Sequence, residues 1–125
     1  MLRKRILLVD DEDHIREVAS MTLELTGGWD VLTARSGAEA IRMAAECRPD
    51  AILLDVMMPE MDGPTTLRLL KTGDSTRSIP VIFLTAKVQA ADKRKFMELG
   101  VDAIIAKPFD PLSLAAEVAA SLGWT

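Results

Sequence analysis

Short apolar runs alternate along the chain with stretches whose apolar residues recur every three or four positions. Ile6-Leu7-Leu8-Val9 reads as a first strand, and Ile15, Val18, Ala19, Thr22 and Leu25 then fall on one face of a helix. Asp11 or Asp13 is placed to cap that helix, where acidic residues suit the positive end of its dipole. Gly27-Gly28 ends it. Trp29 to Ala34 forms a second strand. Ser36 caps a helix with Ala40, Ile41, Ala44 and Ala45 on one side, and Pro49-Asp50 breaks the chain before a third strand, Ala51 to Leu54. A loop with Pro59 and Gly63 leads to a helix carrying Leu67 and Leu70, and Gly73 to Ser78 is a polar loop. Pro80 opens a fourth strand, Val81 to Leu84. A charged helix ends at Leu99-Gly100, and Val101 to Ala106 is the fifth strand. Asp110-Pro111 starts a last helix, with proline in its first turn, bearing Leu114, Val118 and Leu122.

Continuous apolar strands imply burial on both faces. Strands separated by helices imply parallel pairing through right-handed crossovers. The expected fold is α/β, a three-layer α/β/α sandwich around a five-stranded parallel sheet. The order 2-1-3-4-5 is expected because only a switch point brings the ends of the first and third strands together beside a crevice. At 125 residues and 49% hydrophobic, the chain suits one domain over residues 1–125, with no repeat or linker.

Composition excludes several classes. The net charge of −4 and the absence of a long basic run argue against direct nucleic-acid contact; Arg3-Lys4-Arg5 reads as a solvated chain end. No apolar stretch approaches the roughly 18 residues of a membrane span, and Met1 to Ile6 is too short and charged to open a secretory signal. The lone Cys47 excludes an internal disulfide, fits a reducing cytosol, and falls on the apolar side of a helix as a packing residue.

The candidate chemistry lies where the apolar runs stop. Asp10-Asp11 follow the first strand, Asp55 the third, Thr85 the fourth, and Lys107-Pro108 the fifth. In a parallel sheet these addresses share one rim. Two carboxylates about 4 Å apart repel by roughly 4 kcal/mol at an effective dielectric near 20. Three such acids must protonate, separate or recruit a cation. Mg²⁺ prefers oxygen ligands and leaves room for phosphate oxygens. Lys107 supplies a fixed positive charge that can pair with Asp55 and move onto a phosphoryl oxygen, and the Thr85 hydroxyl can donate to another. The combination points to phosphoryl chemistry.

Four segments carry a resemblance: Leu8-Val9-Asp10-Asp11-Glu12, Asp55-Val56-Met57-Met58-Pro59-Glu60-Met61-Asp62-Gly63, Leu84-Thr85-Ala86 and Lys107-Pro108-Phe109. In order and at these intervals they resemble the two-component response-regulator receiver domain, of the CheY-like superfamily, across essentially the full chain. The resemblance implies that Asp55 accepts a phosphoryl group from a phosphohistidine on a sensor histidine kinase or histidine phosphotransfer protein. It implies Mg²⁺, with Mn²⁺ able to substitute, held directly by Asp11, Asp55 and the backbone carbonyl of Met57, and through water by Asp10. Thr85 and Lys107 would hold the phosphoryl oxygens, and the Lys107-Pro108 bond would be cis. Such a domain is a cytoplasmic signalling module, not an enzyme acting on other substrates. It would switch a surface toward an output partner, with weak homodimer formation on phosphorylation and no membrane contact.

Three positions depart from the family's habit. Ile104 stands where an aromatic ring or His commonly acts as a switch, so signalling through a ring is not expected here. Met57 and Lys87 occupy the two positions that tune the lifetime of the phosphoryl group. Neither offers a carboxylate or amide to orient water, so self-hydrolysis is expected to be slow, and Met57→Asn should shorten the phosphorylated state. Met57, Met58 and Met61 read as loop packing, and His14 as a surface residue near the kinase-docking region. Two other readings compete. A phosphorylation-independent pseudo-receiver would not need the complete residue set. An aspartyl-nucleophile phosphatase would carry an acid where Met57 stands, and a cap domain. Phosphate-binding glycine loops of the G-x-x-x-x-G-K-[ST] or G-x-G-x-x-G type are absent. Met1 reads as a natural start; the chain could be a stand-alone receiver or the first part of a longer regulator.

Overall fold

A computed structural model describes residues 3–124; Met1, read above as a start, lies outside the described residues. Five parallel strands, β1 (Arg5–Val9), β2 (Asp30–Ala34), β3 (Ala51–Asp55), β4 (Val81–Thr85) and β5 (Ala103–Ala106), pair in the order β2-β1-β3-β4-β5. Between and after them run α1 (Asp13–Thr22), α2 (Gly37–Cys47), α3 (Gly63–Thr72), α4 (Ala90–Glu98) and α5 (Leu114–Leu122). The α/β/α sandwich and its strand order are as the sequence predicts.

Alternation within the strands builds two cores. Leu7, Val9, Ile52, Leu54 and Phe83 face Ala40 and Ala44 of α2, Leu67 and Leu70 of α3, and Phe96 of α4. Ile6, Leu8, Leu53, Ile82 and Leu84 face Ala19 of α1 and Leu114, Ala115 and Val118 of α5. Because the side-chain period of a strand is two, a run that is apolar at every position feeds both layers. Each fully buried aliphatic side chain contributes about 2 kcal/mol of transfer free energy. The central strands thus fix the position of everything at their carboxyl ends.

Several local expectations are corrected. Leu25 is 78% exposed, and Leu23 is buried in its place. After Thr22 the helix widens into a π-helical turn, Leu23–Gly27, ending at Gly28 with φ 70°; the wider turn rotates the apolar face by part of a residue. Neither Asp11 nor Asp13 caps α1: Glu12 holds the N-cap position without a side-chain bond, and Asp13 opens the helix. Ser36 does cap α2, accepting from the Glu39 N–H, but Ala45 is exposed rather than on the buried side. Asp110-Pro111 form a turn before α5, which starts at Leu114; the φ of proline suits a turn as well as a helix start. Arg3-Lys4-Arg5 is exposed as expected, and two of its side chains also find partners. Arg3 donates to the carbonyls of Gly28 and Trp29 and pairs with Asp30, and Arg5 bonds Asp50 and the Cys47 carbonyl.

Candidate metal and phosphoryl site

Three carboxylates, from Asp10, Asp11 and Asp55, offer oxygen atoms that all lie within 4.8 Å of one another. The topology explains the meeting. β1 and β3 are neighbours in register, with Val9 opposite Leu54, so the residues just beyond them share the carboxyl rim. Asp10 is wholly buried and Asp55 is 3% exposed. A Cβ on Gly63 would lie 2.8 Å from the backbone of Asp55 and Val56. The bare glycine therefore lets the start of α3 close against the end of β3, where the Gly63 N–H donates to the Val56 carbonyl.

Lys107 bridges the acids. Its Nζ donates to Asp10 Oδ2 at 2.9 Å and to Asp55 Oδ1 at 3.2 Å. The second oxygen of Asp10 accepts from the Glu12 N–H at 2.9 Å, and Asp55 Oδ1 also accepts from the Met57 N–H at 3.4 Å. Burial, then the neighbouring Asp10 carboxylate, pushes Asp55 up to about 6, against the pull of Lys107. For Lys107, burial works to discharge the ammonium, but the hydrogen bond and charge of Asp10, followed by Asp55, outweigh it and raise its pKa. One lysine thus pairs with two of the three acids. The imbalance leaves room for a further cation, and an all-oxygen donor set fits a hard divalent ion.

The remaining predicted residues fall around this cluster. Thr85 is buried at the end of β4, with its Oγ1 accepting from the Lys87 N–H at 2.9 Å; the hydroxyl proton stays free to donate elsewhere. The Lys107-Pro108 peptide is cis. Met57 is 63% exposed on the rim. Ile104 is half-buried against the core that holds Phe83 and Phe96. His14 is exposed and lines a groove of about 390 Å³ with Ile15, Val18, Phe109 and Pro111, reaching Lys107 and Glu12.

One contact was not expected from the sequence. Arg16 Nη1 donates to the backbone carbonyl of Asp10 at 2.8 Å. A signal existed: a cation early in α1 opposes the positive end of the helix dipole, so its placement called for another explanation.

Fold and site together define a parallel α/β domain with an acidic, lysine-bridged pocket at its switch point. The response regulator receiver domain family matches residues 6–119, and the chain belongs to that family. It is 40% identical over 121 residues to the alkaline phosphatase synthesis transcriptional regulatory protein PhoP of Bacillus subtilis, covering 97% of this chain and 49% of that protein. It is 41% identical over 122 residues to the phosphate regulon transcriptional regulatory protein PhoB of Pseudomonas aeruginosa, covering 98% and 53%. The chain therefore spans about half the length of these relatives. Among solved structures, chemotaxis protein CheY4 of Vibrio cholerae superposes with a TM-score of 0.89 at 30% identity, covering 96% of this chain and 99% of that one. The receiver domain of a Pseudomonas aeruginosa sensor histidine kinase, solved with a magnesium ion coordinated in its active-site cleft, gives 0.85 at 30% identity, covering 98% and 99%. Among the described residues, no helix is long and apolar enough to cross a membrane.

Proposed function

We propose that residues 1–125 act as one receiver domain, in which Asp55 takes a phosphoryl group from a phosphohistidine and the modification switches a protein-binding surface. The observation that carries this reading is the Lys107 ammonium set between Asp10 and Asp55 at the buried ends of two neighbouring strands. An Asp55 oxygen attacks phosphorus, the P–N bond to the donor imidazole breaks, and an acyl phosphate forms. With its pKa raised to about 6, Asp55 is still mostly ionised at neutral pH and more basic than a solvated aspartate, which suits a nucleophile. Lys107 lies within reach to leave the acids and neutralise a phosphoryl oxygen, and the Thr85 hydroxyl can donate to another. Asp11, Asp55 and the Met57 carbonyl, with Asp10 through water, would hold Mg²⁺ or Mn²⁺. When bound, the ion supplies charge neutralisation at the transferring group. The magnesium-bearing structural relative supports this choice of metal.

The groove between α1 and the segment Pro108 to Pro111 opens beside Lys107. Its apolar floor suits the helix of a histidine kinase or phosphotransfer protein, approaching with its histidine toward Asp55. The acyl phosphate adds about −1.5 to −2 charges, which draws Thr85 and the loop to Lys87 inward. With Ile104 in place of a ring, the shift passes through this backbone and α4 to an output partner or to a weak homodimer. The setting is the cytoplasm, without contact to membrane or nucleic acid by this domain. Neither Met57 nor Lys87 can orient an attacking water, so the phosphorylated state is long-lived, and Met57→Asn shortens its half-life, as read by the decay of the phosphorylated mass. An unchanged half-life removes that assignment.

Incubation with Mg²⁺ and acetyl phosphate tests the whole reading. Intact mass should rise by one phosphoryl group, and EDTA or Asp55→Asn should abolish the gain. A gain that survives Asp55→Asn, or no gain at all, overturns it; the second result favours a phosphorylation-independent binding module.

A further inference from the structure

Arg16 takes no part in the transfer described above, yet it is built into the acid cluster. It sits in the second turn of α1 with its side chain only 13% exposed. Nη1 donates to the Asp10 carbonyl at 2.8 Å, and Nη2 donates to the Asp13 carboxylate. The bonded carbonyl belongs to the peptide that joins Asp10 to Asp11, the two adjacent acids of the cluster. The carboxylate of Asp10 is already held on both oxygens, by the Glu12 N–H and by Lys107. Arg16 adds the one side-chain bond made directly to the peptide plane leading to Asp11, a plane that the Glu12 N–H restrains only through the Asp10 carboxylate.

Two roles for such a cation predict opposite effects. As a charge, Arg16 repels a divalent ion, and its removal would tighten binding. As a clamp, it keeps two consecutive carboxylates aimed at one point, and its removal would weaken binding. The planar fork puts two separate nitrogens on two separate oxygens in a fixed geometry, whereas an ammonium acts from a single nitrogen. We propose that Arg16 is a positioning residue whose bond to the Asp10 carbonyl holds Asp10 and Asp11 in the geometry that binds the divalent cation. The inference rests on the metal-binding part of the proposed function. Partners that orient metal ligands typically account for about 10–100-fold of affinity.

Calorimetric titration of Mg²⁺ into the wild type, Arg16→Met and Arg16→Lys tests it, alongside thermal unfolding of each protein in EDTA. Arg16→Met should lose about tenfold in affinity while its metal-free midpoint stays within a few degrees of wild type. Arg16→Lys, with one nitrogen in place of the two that the guanidinium uses, should fall between them. Equal or tighter binding by Arg16→Met overturns the proposal, as does an affinity loss that accompanies a collapse of the metal-free midpoint. If Arg16→Met does not fold, wild-type affinity in Arg16→Lys overturns it instead. A wild type that binds no Mg²⁺ removes the functional reading and this inference together; a wild type that binds, with a variant that binds equally, removes only the inference.

Discussion

The two rims of the sheet carry the same residue types and use them in opposite ways. At the amino rim Arg3 meets Asp30 at 3.3 Å with the two side chains 56% and 52% exposed, and Asp50 accepts from the Arg5 N–H. Lys4 lies 5.0 Å from the ring centre of Trp124, which in turn meets Trp29 edge-on. Charges there are partnered and reach water. At the carboxyl rim three carboxylates cluster, Lys107 pairs with two of them, and those two are buried. Exposed, matched charges contribute little in either direction. Buried and unmatched charges hold unfavourable energy that an arriving cation relieves. A charge cluster at the end of a sheet thus marks a site where burial and imbalance coincide, not merely where charges gather.

Deleting one cation from each rim separates burial from charge. Lys107→Met leaves Asp10 and Asp55 buried without compensation and should cost about 3 kcal/mol in EDTA at pH 7. Protonation of Asp55, already pushed toward neutrality, limits the loss. Because the Lys107 pKa is raised above 10.5, its stabilisation is present throughout neutral pH and is lost only as pH climbs past the raised value. Arg3→Met at the other rim should cost under about 1 kcal/mol. Urea unfolding of both variants decides the matter, and equal losses would mean that burial does not separate the rims.

A second test reverses the sign. The folded pKa of Asp55, about 6, lies above its ordinary 3.8, so between those values the folded protein holds more proton than the unfolded chain. Stability therefore falls as pH rises through that window, and the full penalty is present above pH 6. Asp55→Asn removes the penalty and should stabilise the metal-free protein at pH 7 by up to about 3 kcal/mol, with the gain vanishing at pH 4 and below. Unfolding curves in EDTA across that range check it. A destabilised Asn variant at pH 7 would show that the attraction of Lys107 exceeds the burial cost.

What the sequence made legible follows from the same contrast. Asp10, Asp55, Thr85 and Lys107 could be placed together because each ends an apolar run, and a buried strand has a fixed rise and a fixed direction. Arg16 showed only as a cation set against the helix dipole, and its partner could not be named, since the bond runs to a backbone carbonyl and leaves no complementary residue to notice. Leu25 was misplaced because an extra residue in the last turn of a helix changes the phase without changing the composition. The bonds of Arg3 and Arg5 were not legible because their partners are carbonyls and acids of segments distant in sequence. Side-chain periodicity reports which face is buried; it does not report what the backbone needs.

Among the described residues, each rim carries one residue that is not glycine at positive φ. Glu60, with φ 68°, lies in the loop after Asp55, where the Met61 N–H closes a three-residue turn on the Pro59 carbonyl at 2.7 Å. Arg48, with φ 45°, ends α2 at the amino rim. This region costs a side chain roughly 1–2 kcal/mol, and the flexibility of glycine in the unfolded chain returns about half of that. Glu60→Gly and Arg48→Gly should therefore each gain roughly 0.5–1 kcal/mol. The rims should differ in function. Arg48→Gly should leave the rate of phosphorylation by acetyl phosphate unchanged. Glu60→Gly should alter it, because the turn holds the loop that carries the Met57 carbonyl and strain near reacting groups acts through position. If both variants gain stability and neither changes the rate, the strain at Glu60 is incidental to the site.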